Sequence, residues 1–161
     1  MSDLFPVTIR LSQYEIELAA FAACIRQAEN IKLKRRQTHG SGYDALWHRN
    51  VEGTIAEWVC AKYTNRHWLG VGEINGHDFG QKGEARWSDP KPNRHLILHK
   101  NSPPAHYFFL VVGQYGTYTI HGWIRAFDGM KTHYWTDPGT GRPCYMVPIC
   151  DLVKDHIPDD L

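Results

Sequence analysis

The chain lacks any apolar run approaching the roughly 20 residues that a membrane helix needs. Its N-terminus has no basic stretch followed by an apolar one, so no secretory leader is expected. No sign of charge dominates either: the formal net charge is +1. That excludes the strongly basic balance of a chromatin-type binder and leaves any nucleic-acid affinity to a local patch. Cysteine is sparse, and Cys24, Cys60, Cys144 and Cys150 form no CxxC pair. Cys24 and Cys60 sit in apolar helical patterns, where buried free thiols are expected. A reducing, cytoplasmic setting follows as the default. There is no Walker loop, no dinucleotide fingerprint and no Gly-x-Ser-x-Gly elbow. These absences argue against nucleotide-fuelled, redox and serine-hydrolase chemistry.

What is present suits one folded domain. At 161 residues, with 42 % hydrophobic residues, the chain can bury a core without staples. No internal repeat or low-complexity tract interrupts it. Ser12-Gln-Tyr-Glu15 reads as a capping box. It opens a helix that continues to about Arg36, with apolar positions at Ile16, Leu18, Ala19, Ala22, Ala23, Ile25 and Ala28. Residues Gln37 to Tyr43 read as a flexible loop. A second helix is expected over about Asp44 to Tyr63, weakened around Asn50 to Gly53. From Trp68 onward glycines become dense and strands short. Strands are expected near Gly72–Ile74, His77–Phe79, Gly83–Trp87, His95–His99, His106–Gly113 and Tyr118–Ala126. The run Tyr107 to Val112 is apolar throughout, as a central strand covered on both faces would be. Asp137 to Gly141 reads as a loop, Ile149 to Val153 as a short closing element, and the tail from Pro158 as frayed. Helices followed by a mostly antiparallel or mixed sheet make an α+β fold.

The richest chemistry lies between Glu57 and Arg86. Asp78 is expected on one strand of a hairpin and Gly80 to Gly83 in its turn. Glu84 and Arg86 then return two residues apart on one face. Taken singly, Asp78 is an ordinary turn residue, and Glu84 with Arg86 an ordinary exposed pair. Together with Glu57 on the packing helix they supply three carboxylates and one cation. Such a set suits a hard divalent metal, Mg²⁺ or Mn²⁺, and attack on a phosphodiester. Asp78 and Glu84 would hold the metal, and the backbone carbonyl of Ala85 would complete its inner shell. Glu57 would hold a second ion or order water, and Arg86 would orient the nucleophile or stabilise developing charge.

This constellation resembles the PD-(D/E)xK nuclease superfamily, most closely its small single-domain, phage-type members. The matching residues are Gly53-Thr-Ile-Ala-Glu57-Trp-Val-Cys-Ala61, then Asp78, then Glu84-Ala85-Arg86. Leu96 to Lys100, Tyr107 to Val112 and His121-Gly-Trp-Ile124 are similar to the strands that follow. The likeness runs from about Val51 to Ala126. It implies a restriction-endonuclease-like fold with a nuclease core at 44–126, preceded by a helix and loop at 1–43 and followed by a loop and closing element at 127–161. It also implies metal-dependent hydrolysis of DNA, with RNA as the other nucleic-acid substrate. For a phage protein it implies the host cytoplasm. His77 replaces the usual proline before the Asp, and Arg86 replaces the usual lysine. Arginine cannot act as a base. It serves only if the lysine's task is to orient water and stabilise charge; otherwise Lys62, Lys82 or Lys100 would have to supply an amine. The alternative is an inactive nuclease-fold protein that binds nucleic acid or a host protein.

Two further readings are weaker. His95 and His99 have the i,i+4 spacing of a helical zinc pair. A strand there would hold the rings on the order of 13 Å apart. Cys144 and Cys150 lack a second ligand pair at zinc-ribbon spacing. A basic patch of Lys34, Arg35 and Arg36, joined by Lys62, Lys82 and Lys100, could contact phosphates, although cations at a helix C-terminus also simply complement its dipole. Among six tryptophans most are expected in the core, Trp87 with them on the face opposite Arg86. Trp47 and Trp135, beside His48, Arg49 and Lys131, are the two placed to stack on unpaired bases.

Overall fold

A computed structural model describes residues 4–33, 43–71 and 76–161, for residues 43–46 through the backbone alone. The expected loop at Gln37 to Tyr43, the helix end at Lys34 to Arg36 and the strand near Gly72–Ile74 lie outside the described residues, apart from Tyr43, which begins a helix.

The fold is α+β. It opens with a strand, β1 (Val7–Arg10), that sequence reasoning did not anticipate. Helix α1 (Gln13–Lys32) follows and helix α2 (Tyr43–Thr64) comes next. The chain then builds β2 (Gly83–Ser88), β3 (His95–Leu98), β4 (Tyr107–Gln114) and β5 (Thr117–Arg125). A single helical turn, α3 (Ala126–Gly129), leads to β6 (Trp135–Thr136) and β7 (Cys144–Pro148). The capping box is real: the Ser12 amide donates to Glu15 at 2.8 Å and the Glu15 amide donates back to Ser12 at 3.3 Å.

Helix α2 is continuous through the stretch expected to weaken. Gly53 in a helix costs about 1 kcal/mol relative to alanine, but its neighbours are anchored on both sides. Asn50 donates to Gln27 of α1, Thr54 Oγ1 donates to the Asn50 carbonyl at 2.8 Å, and buried Glu52 accepts the Tyr118 hydroxyl at 2.6 Å. Tertiary bonds override the local propensity.

Two sheets form. The first has the order β1-β5-β4-β2, antiparallel except for the parallel pair β4–β2, and the second is antiparallel in the order β3-β7-β6. A parallel pair needs a crossover, and residues 89–106 provide it by way of β3 in the other sheet. Helices α1 and α2 cover one face of the first sheet through Ala19, Ile55, Val59, Phe109 and Val111. The second sheet covers the other through Leu96, Leu98, Phe108, Leu110 and Val147. Strand β4 is therefore buried on both sides, as its unbroken apolar run requires.

Three expectations are corrected. Cys24 is exposed, because it falls on the face of α1 opposite Ala19, Ala22 and Ala23; only Cys60 of that pair is buried. The tail from Pro158 is tied down: Leu161 is buried, and Asp160 takes bonds from Lys82 and Tyr107, each at 2.6 Å. Asp78 does not lie in a strand. Within the expected strand His77–Phe79, Phe79 alone makes bridges, isolated ones to Trp68 and to Gly83.

Candidate functional site

The turn from Phe79 to Gly83 positions the first acid. The amides of Asp78 and Phe79 donate to the Gly83 carbonyl at 2.8 and 3.3 Å, and the Gly83 amide donates to Phe79 at 3.0 Å. Gly80 takes the left-handed conformation at φ 59°. A Cβ on Gly83 would stand 2.5 Å from the Phe79 ring, so the turn closes only around a glycine there. The result hangs Asp78 beside β2, the edge strand of its sheet. Its Oδ2 accepts the Ala85 amide at 2.8 Å. The unpaired edge of β2 is thus partly satisfied by a carboxylate.

Glu84 and Arg86 share a face of β2, as their spacing implies. Both are opposite β4 residues of the second core: Glu84 pairs with Phe108 and Arg86 with Leu110. The Arg86 guanidinium lies over the Phe108 ring at 4.6 Å, donates to the Ala85 carbonyl at 3.1 Å and sits 3.6 Å from Glu84. Glu84 also shares a hydrogen bond with His106 Nδ1 at 3.0 Å. Glu57 approaches from α2, where it accepts from Arg26 at 2.7 Å and from Trp68 Nε1 at 3.3 Å.

Glu57 and Glu84 are each only 8 % exposed. Burial, and then the charge of Asp78, push both carboxyls up to about 7. Asp78 is raised as well, chiefly by burial, against the Ala85 amide, Arg86 and Arg26, which pull it down. Asp78 is the shared neighbour in this repulsion, so the three acids form one electrostatic unit. The His106 imidazole is held below its ordinary value by burial.

The donor set, three carboxylates and a backbone carbonyl, is the oxygen chemistry of a hard cation. Its arrangement is not a closed cage. Among the described residues no group of three or more His, Cys, Asp or Glu is disposed to hold a metal ion. The Ala85 carbonyl is occupied by Arg86.

The lysines considered for phosphate or amine roles are engaged elsewhere. Lys62 pairs with Glu15, Lys82 with Asp160, and Lys100 lies over the Trp135 ring. Lys34, Arg35 and Arg36 lie outside the described residues. Sequence reasoning missed Arg26, Trp68 and His106, which hold Glu57 and Glu84. Each is distant along the chain and in no motif. Only the helical spacing that turns Arg26 toward α2 carried a trace of it. His95 stands in β3, so the strand reading of that segment holds.

Beside the acids opens a cleft of about 840 Å³ between the two long helices and β2. Glu57 and Arg86 belong to its wall, together with Arg26, Arg49, Arg94 and Trp87. No family model matches the chain, and no curated protein or solved structure matches it either.

Proposed function

We propose that the protein is a metal-dependent nuclease of restriction-endonuclease-like type, hydrolysing phosphodiester bonds of DNA. The observation that supports it is the convergence of Glu57, Asp78 and Glu84, from a helix, a turn and an edge strand, into one mutually repelling acidic unit beside an arginine-lined cleft. Three acids buried together are costly without a cation to offset them.

Asp78 and Glu84 would hold Mg²⁺ or Mn²⁺, with the Ala85 carbonyl once Arg86 moves off it. The ion would supply charge neutralisation at the phosphate and a water of lowered pKa. Glu57, raised to about 7 and held by Arg26 and Trp68, is suited to take a proton near neutral pH. Arg86 would present a planar fork to the departing or attacking oxygen. His106 keeps Glu84 oriented.

A second reading is favoured by one observation. The Arg86 guanidinium occupies the Ala85 carbonyl and neighbours Glu84, filling the place a metal would take. An inactive nuclease-fold protein that binds nucleic acid or a host protein would look the same.

Plasmid and single-stranded DNA incubated with Mn²⁺ or EDTA separate the two. The nuclease reading predicts cutting that requires Mn²⁺ and is lost in Asp78→Asn, while the melting temperature of that variant stays within a few degrees. Cutting that persists in Asp78→Asn removes the site; no cutting by the parent protein on either substrate leaves the binding reading.

A further inference from the structure

We infer that the cleft is a binding site for an unpaired polynucleotide strand, gripped by Arg26, Arg49 and Arg94 with Trp87 as a wall for a base. This rests on the proposed function for the direction of the strand, which leads past Glu57 and Arg86 to Asp78 and Glu84.

Charge comes first. Among the described residues the wall carries four arginines, counting Arg86, against the two carboxylates Glu57 and Asp89. The partners of Arg26 and Arg94 do not exhaust them. A guanidinium presents five N–H donors. Arg26 uses Nη1, on Glu57 and Thr54, and Arg94 uses Nε and Nη2, both on Asp89. The carboxylates thereby hold two forks in place and leave donors for phosphate oxygens, to which arginine binds in bidentate fashion.

The aromatic wall is equally fixed. Trp87 Nε1 donates to the Gly113 carbonyl at 2.9 Å, the half-buried indole packs against the first core, and the His48 ring stands nearly perpendicular to it with ring centres 5.6 Å apart. A base stacked on such a ring gains about 1–3 kcal/mol whatever its identity. Size suits a short stretch of one strand. A volume of about 840 Å³ falls in the range, roughly 300–1,000 Å³, that encloses one compact ligand. It admits a few nucleotides of one strand. A base can lay its face on a protein ring only when it is unpaired, which is what favours the single strand over a duplex.

The test is binding in EDTA, where no cutting occurs. A fluorescent single-stranded dodecamer should bind, and an unlabelled blunt duplex of the same sequence should compete at least tenfold less well. A ribose dodecamer bound with the same preference over duplex supports the inference equally. The double variant Arg49→Gln, Arg94→Gln touches none of the proposed catalytic groups. It should lose about tenfold or more in affinity and flatten the salt dependence by roughly two units of log slope. Unchanged affinity in a variant that melts normally, or equal competition by duplex, overturns the inference. Should the variant fail to fold, photo-crosslinking of 5-iodouracil DNA to the parent protein decides: attachment within 23–30, 47–57 or 86–97 or at Gln114 supports the cleft, and attachment elsewhere overturns it. Metal-dependent cutting without cleft binding defeats this inference alone. Cleft binding without cutting defeats only the nuclease reading.

Discussion

Position 86 concentrates the chemistry of the site. Its arginine stacks on Phe108, donates to the Ala85 carbonyl and neighbours Glu84. Lysine would keep the charge as a point on a flexible stem and lose the fork. Arg86→Lys is therefore expected to free the Ala85 carbonyl and raise Mn²⁺-dependent cutting about tenfold or more. Losing the stack over Phe108 should cost about 1 kcal/mol by urea unfolding. Cutting left unchanged in a folded Arg86→Lys would detach this position from the reaction. Residue identity made Glu57, Asp78, Glu84 and Arg86 legible as a set in advance. It could not show that Arg26, Trp68 and His106 complete their bonding, because those partners are long-range and follow no spacing rule.

At the scale of elements, legibility followed periodicity. Strand β4 was readable from its unbroken apolar run, and α1 from its capping box. Strand β1 was not, since four residues paired only with β5 offer little pattern. The turn before β2 was read correctly as a turn but wrongly as a hairpin, because an isolated bridge at Phe79 and a full strand have the same local composition. Helix α1 also shows how far composition alone can mislead. It carries apolar residues on more than one face, yet Tyr14 and Phe21 are 72 % and 67 % exposed while Ala19 is fully buried against α2 and the sheet. Phe21→Lys should therefore change stability by no more than about 0.5 kcal/mol. Ala19→Leu should cost about 1–3 kcal/mol through overpacking. Urea midpoints of the two variants measure both; the reverse order would mean that α1 packs through its other face.

Over the whole molecule, the acidic unit shapes the response to pH. Glu57 and Glu84 have folded-state values raised to about 7, above the ordinary carboxylate range near 4.5. Between those limits the folded protein binds more protons than the unfolded chain, so stability falls as pH rises from about 4.5 to 7. Glu15, lowered to about 2 by Lys62 and the Ser12 amide, acts in the opposite sense below that window. The melting temperature is expected to peak near pH 5 and to decline toward pH 8 in EDTA. Mn²⁺ should restore part of the loss at pH 8, because a cation bound only to the native state stabilises it. A melting temperature flat from pH 5 to 8 would show that the three acids are not buried together. Among the described residues no helix is long and apolar enough to cross a membrane.

The crossover that makes β2 and β4 parallel has a consequence in time. Glu57, Asp78 and Glu84 are synthesised before β4, the strand that β2 pairs with. Strand β1 waits longer still, for β5, and the amides of Leu4 and Phe5 wait for the carbonyl of Lys154. Contacts so distant in sequence delay folding. The nascent chain thus carries Glu57, Asp78 and Glu84 while unable to complete the sheet that gathers them, until synthesis has passed the last of these strands.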